Sequence, residues 1–162
     1  VITGKDDLSD RDPTLTLNAM NAFRDVYTLF PESRYAPSAR ERVRYLSNTL
    51  AKHQIAVATY YYSKEAYVAV VNRAKGVVED YPNTPAVEEA LALLYRSYEA
   101  MGLGELADDS RRVLELNFPN SVYLSGNTKF TGQWYSGSAK QKEDKDGFFS
   151  SIRNFFKKEP AG

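Results

Sequence analysis

The sequence predicts an all-α solenoid of antiparallel helix pairs on three observations: apolar residues at helical spacing, abrupt aromatic-proline stops, and recurrence of those stops along the chain. All three meet in the stretch Glu65 to Thr84, EAYVAVVNRAKGVVEDYPNT. On a helical wheel Tyr67, Val70, Val71, Ala74, Val77, Val78 and Tyr81 share one stripe, whereas Asn72, Lys75, Gly76 and Glu79 lie opposite. Pro82 cannot continue that helix, because its ring clashes with the preceding turn and it lacks an amide donor. Asn83-Thr84-Pro85 then offers a cap residue and a proline suited to a new first turn.

Composition bounds what such a chain can do. Its 162 residues, 43% hydrophobic and 26% charged, suit one domain with a real core in water. The formal net charge is zero, so no global field draws the molecule to nucleic acid or an anionic surface. The absence of cysteine excludes a disulfide framework, a thiolate nucleophile and a cysteine-based zinc cluster. No apolar run approaches the roughly 18 residues of a membrane span. The start, VITGKDDLSDRDP, has neither an initiator methionine nor a signal-peptide core, and the expectation is a chain that begins inside a longer protein.

Taken in order, the first dozen residues form a polar loop ending in Asp12-Pro13, a cap residue and a first-turn proline. Asp6, Asp7, Asp10 and Asp12 lack the glycine and distal glutamate of a calcium loop, so capping is the reading. A helix follows from Pro13 to Phe30, with Leu15, Ala19, Phe23, Val26, Tyr27 and Phe30 in period, closed by FPES. Ser38 to Ser63 is one long helix, about 39 Å at 1.5 Å per residue, with Ala39, Val43, Leu46, Leu50, His53, Val57 and Tyr61 on its stripe. Pro85 to Met101 turns Leu91, Leu94, Tyr95 and Tyr98 inward, Gly102-Leu103-Gly104 makes the turn, and Glu105 to Phe118 returns to FPNS.

The stops FPES, YPNT and FPNS centre on Pro31, Pro82 and Pro119. Twelve, eight and five residues before each proline stand Ala19, Phe23 and Val26, then Val70, Ala74 and Val77, then Ala107, Arg111 and Leu114. All but Arg111 are small or apolar, a spacing that resembles the second helix of a tetratricopeptide repeat. Arg111 departs from it as a last repeat does when its outer face meets water or a partner. The fold class is therefore a tetratricopeptide-like solenoid over residues 1–121, followed by an irregular polar tail over 122–162.

Candidate chemistry is sparse. His53, alone on an apolar stripe, reads as a packed residue, and Tyr60-Tyr61-Tyr62, with no basic cluster beside it, reads as packing between repeats. Without a phosphate loop, nucleophile elbow or histidine-carboxylate set, the sequence offers no enzyme, cofactor or metal. Near the end, Phe148, Phe149, Ile152, Phe155 and Phe156 project on one side of a short amphipathic helix. That face calls for docking on the solenoid, on a partner, or on a membrane interface near Arg153, Lys157 and Lys158.

The stretch LAKHQIAVATYYYSKEAYVAVVNRAKGVVEDYPNT, residues 50–84, resembles the BamD family, tetratricopeptide lipoproteins of the outer-membrane barrel-assembly machine of Gram-negative bacteria. Leu50-Ala51-Lys52, Ala58, Tyr60-Tyr61, the run Ala66 to Arg73, Asp80-Tyr81-Pro82 and Thr84 carry the likeness; Ser9-Asp10-Arg11-Asp12-Pro13 and FPES fit upstream. It covers about residues 9 to 121, the carboxy-terminal half of the family's five repeats. The lipidated cysteine and first two repeats are not in this sequence. The resemblance implies a non-enzymatic scaffold at the periplasmic face of the outer membrane. It further implies docking on the last POTRA domain of the barrel protein BamA, contacts with accessory lipoproteins, and membrane attachment only through a lipid anchor outside this chain. Arg73 matches the family arginine that pairs with a POTRA carboxylate, and Ala66, Tyr67, Ala69 and Asn72 border it. Another periplasmic repeat adaptor of the cell envelope, or a peripheral membrane module working through the phenylalanine helix, are the competing readings.

Overall fold

Residues 13–126 and 128–130 are described by a computed structural model. They form five α-helices: α1 (Pro13–Leu29), α2 (Ala36–Ser63), α3 (Tyr67–Asp80), α4 (Ala86–Ala100) and α5 (Gly104–Asn117). One 3-10 turn, Val122–Ser125, follows. Among the described residues the fold is all-α and tetratricopeptide-like, as the repeated stops predict. Packing divides the chain into two units, up to His53 and from Gln54 onward, with α2 running through the boundary.

The three stops are alike in hydrogen bonding as well as in sequence. In each, the aromatic amide closes the helix onto the carbonyl four residues earlier: Phe30 to Val26 at 3.1 Å, Tyr81 to Val77 at 3.0 Å, Phe118 to Leu114 at 2.7 Å. The aromatic carbonyl then accepts the Ser or Thr amide three residues on, from Ser33, Thr84 and Ser121 at 2.9–3.0 Å. The carbonyls of those three residues accept in turn from Ala36, Val87 and Leu124, so the chain restarts as a helical turn each time. Proline suits this bend because the bend asks nothing of its missing donor. Thr84 does not cap α4 as the sequence suggests: its hydroxyl donates to the Tyr81 carbonyl at 2.8 Å, and Pro85 occupies the cap position. Helix α2 starts at Ala36, earlier than the expected Ser38, since Pro37 is tolerated in a first turn.

Two turns close with the Schellman pattern. After α4, Leu103 N–H reaches the Tyr98 carbonyl and Gly102 N–H the Glu99 carbonyl, with Gly102 at φ 74°. After α2 the same bonds join Ala66 to Tyr61 and Glu65 to Tyr62, but the left-handed residue is Glu65 at φ 57°. A side chain there crowds the following carbonyl, a cost of roughly 1–2 kcal/mol that glycine avoids. Glu65→Gly is therefore expected to stabilise the fold by about 1 kcal/mol or less once the freer unfolded chain is counted, seen as a higher midpoint of thermal unfolding.

The core of the second unit is built around α4, which packs against α3, α5 and the 3-10 turn. From α3 come the buried Val70, Val71, Ala74, Val77 and Val78, the stripe read from the sequence apart from Tyr67 and Tyr81, which are half-buried; from α5 come Ala107, Ser110, Val113 and Leu114. The expected inward set of α4, Leu91, Leu94, Tyr95 and Tyr98, is buried, and so are Leu93, Ala90, Ala92, Ser97, Glu88 and Glu89. A helix covered on several sides needs apolar residues nearly all round, which is why Ala and Leu fill its middle. Along α2 the expected stripe is buried at Ala39 and Leu50, but Ala51, Ile55 and Ala58 beside it are just as deep. The two alanines leave room for close approach of a neighbouring backbone.

Tyr98 lies in this core, and burial pushes its hydroxyl up to about 12 from 10.0. Between those values the folded chain keeps a proton that the unfolded chain loses, so stability is full below about pH 10 and falls as pH rises toward 12. The loss is on the order of 2–3 kcal/mol. Denaturant midpoints at pH 9 and 11.5 should converge in Tyr98→Phe, which has no phenol to titrate.

Candidate functional site

Helix α3 turns Val70, Val71, Val77 and Val78 to the core and leaves a narrow outward face. Ala66, the residue at the α3 cap, Ala69 and Arg73 fall within about 60° of one another on that face, with Gly76 one turn beyond. Arg73 and Asn72 are exposed, Ala66, Ala69 and Gly76 half-buried, and Val68 at the flank is 67% exposed. Gly76 is an ordinary helical residue, and a Cβ added to it would meet only the Asp80 carboxylate at 4.0 Å. Glycine inside a helix costs about 1 kcal/mol relative to alanine, and neither its backbone nor its neighbours among the described residues require it.

Arg73 is not loose. Its Nη1 donates to Oε1 of Gln54 on α2, 19 residues earlier, at 3.1 Å. Gln54 is half-buried and neutral, so it takes one donor of the guanidinium and leaves the positive charge intact. Sequence reading did not find Gln54: it lies beside, not on, the apolar stripe of α2, and its meeting with Arg73 depends on how α2 and α3 cross. Of the four residues grouped around Arg73 in the sequence, Tyr67 stands apart. It faces the other flank of α3, edge to face with Tyr62 at 5.7 Å between centroids.

That flank is an aromatic cluster. Phe130 packs edge to face on Tyr62 at 5.0 Å and stacks on the buried Tyr123 at 5.4 Å. Burial, helped by Tyr67 and Glu99 and opposed by Arg96, holds the Tyr62 hydroxyl above its ordinary range. The residues after Ser121, expected to be an irregular tail, thus begin with a packed 3-10 turn, and Phe130 returns to Tyr62 of α2.

Arg111 lies on α5 about half exposed, bonded through Nε to Glu115 at 2.9 Å and poised 5.8 Å from the Tyr95 ring. Arg96 approaches that same ring at 5.2 Å. His53 is half-buried in α2. Phe148, Phe149, Ile152, Phe155 and Phe156 lie outside the described residues. Within the first unit, Phe23, Arg42, Tyr45 and Leu46 line an open apolar groove of about 580 Å³, with the Arg42 guanidinium over Phe23 at 5.3 Å. Among the described residues no cluster of three or more His, Cys, Asp or Glu could hold a metal ion, and no helix is long and apolar enough to cross a membrane.

Paired helices, repeated proline stops and a polar, partly preordered helix face define a repeat protein of the tetratricopeptide class. More particularly, residues 2–114 match the YfiO outer membrane lipoprotein family, and the chain belongs to it. It is 44% identical over 119 residues to outer membrane protein assembly factor BamD of Neisseria meningitidis serogroup A, covering 74% of this chain and 45% of that one. The proteins of that name from Haemophilus influenzae and Vibrio cholerae are 36% and 32% identical, each over 111 residues. Those alignments cover 68% of this chain and 42% and 46% of theirs. The chain thus spans less than half the length of the relatives it matches.

Proposed function

We propose that this chain is a non-enzymatic scaffold segment of the machinery that assembles β-barrel proteins into the outer membrane, working at the periplasmic face. Its outward α3 face binds the POTRA region of BamA, and other helix faces meet accessory lipoproteins. The observation that carries the reading is Arg73, exposed beside the small residues Ala69 and Gly76 and held by a neutral hydrogen bond that leaves its charge for a partner. A guanidinium offers two parallel N–H donors to a carboxylate, and small neighbours let a partner backbone reach it. Repeat scaffolds act by rigid positioning: each helix pair fixes the next, so a face on α3 presents its groups at a set distance and angle. The relatives' name, outer membrane protein assembly factor, supports the same function. The test is direct titration of the purified chain with the POTRA region of BamA; saturable binding is expected, and its absence at concentrations well above micromolar ends the reading.

A further inference from the structure

Resting on that reading of the α3 face, the geometry points to Gln54 as a positioning residue that presets Arg73 for a single carboxylate on the partner. An exposed arginine samples many rotamers, and ordering it on binding opposes association. The 3.1 Å bond from Arg73 Nη1 to Gln54 Oε1 ties α2 to α3 at this point and fixes the guanidinium before any partner arrives. A guanidinium has five N–H donors; with one directed at Gln54, the rest stay available, including a pair in the fork that matches a carboxylate. The amide also preserves the full cationic charge that attracts such a partner. Gly76, one turn from Arg73 along α3, adds no side chain to that part of the face.

The probe is the POTRA region of BamA, titrated into the whole chain and into three variants: Gln54→Ala, Arg73→Ala and the pair together. Gln54→Ala is expected to weaken binding about three- to tenfold, the range for losing the preorder of one long side chain, with unfolding midpoint and helix content unchanged. In the Arg73→Ala background the same change is expected to do nothing further, because the glutamine acts through the arginine. Gln54→Glu, whose carboxylate would pair with the guanidinium and compete with the partner's, is also expected to weaken binding. If Arg73→Ala weakens binding but Gln54→Ala does not, the positioning role is overturned while the docking face stands. If Gln54→Ala costs the same with or without Arg73, the glutamine touches the partner itself and the positioning role again fails. If Arg73→Ala binds as the parent does, the docking face fails whatever Gln54 does.

Discussion

Arg73→Glu is expected to weaken binding to the POTRA region of BamA by roughly 30- to 1000-fold, about 2–4 kcal/mol, the scale for reversing one member of a close interfacial charge pair. The loss has two sources. A carboxylate at this position would repel the partner carboxylate proposed for the guanidinium, and it would lose the hydrogen bond that Arg73 now donates to Gln54. The fold should not notice: Arg73 is exposed, and the α3 core residues Val70, Ala74 and Val77 point elsewhere. Circular dichroism and the unfolding midpoint should match the parent within the usual surface range of about 0.5 kcal/mol. Raised salt should weaken parent binding and narrow the gap between parent and variant, since the difference is largely electrostatic at the rim. Unaltered affinity in a direct titration would remove Arg73 from the site.

Leu94→Ala, by contrast, is expected to leave the α3 face chemically intact and to destabilise the second unit by about 3–4 kcal/mol. Leu94 is fully buried in the middle of α4, the helix that meets α3, α5 and the 3-10 turn, so the vacated volume has few routes to collapse. On a domain whose total stability is about 5–15 kcal/mol this is a large fraction, readable as a fall of roughly 10 °C in the thermal midpoint. Leu116→Ala on α5, at a leucine 61% exposed, provides the comparison and should change stability by no more than about 0.5 kcal/mol. Equal effects at the two leucines would mean that α4 is not the centre of this core.

Helix identity was largely legible in the sequence because two strong signals coincide at each boundary. Apolar period and proline stop agree at Phe30-Pro31, Tyr81-Pro82 and Phe118-Pro119, and the helices end within a residue of those aromatics. The valine stripe of α3 was legible for the same reason. What escaped depends on contacts remote in sequence. Ala51, Ile55 and Ala58 form a second buried row beside the stripe read from the sequence, and two small alanines make that row faint as an apolar signal. Glu88 and Glu89 look like solvated first-turn acids, yet α4 is enclosed enough to bury both. Of the candidate site, the arginine and its small neighbours could be placed on one face from a wheel. Gln54 could not, because a hydrogen bond between helices is set by their crossing.

The short turn after Ser121 bears on how the last described helix pair is finished. Ser121 restarts a helix as Ser33 and Thr84 do, its Oγ accepting from the Tyr123 amide, but Gly126 at φ 81° ends it after a single turn. Phe130 then lands between Tyr62 and Tyr123. A stacked array otherwise carries an open end, onto which another copy can add as readily as another repeat of the same chain. By breaking the restart with one glycine and seating Phe130 against its own second helix, the sequence ends helix pairing at α5 among the described residues and covers aromatic surface that would otherwise be open to another copy.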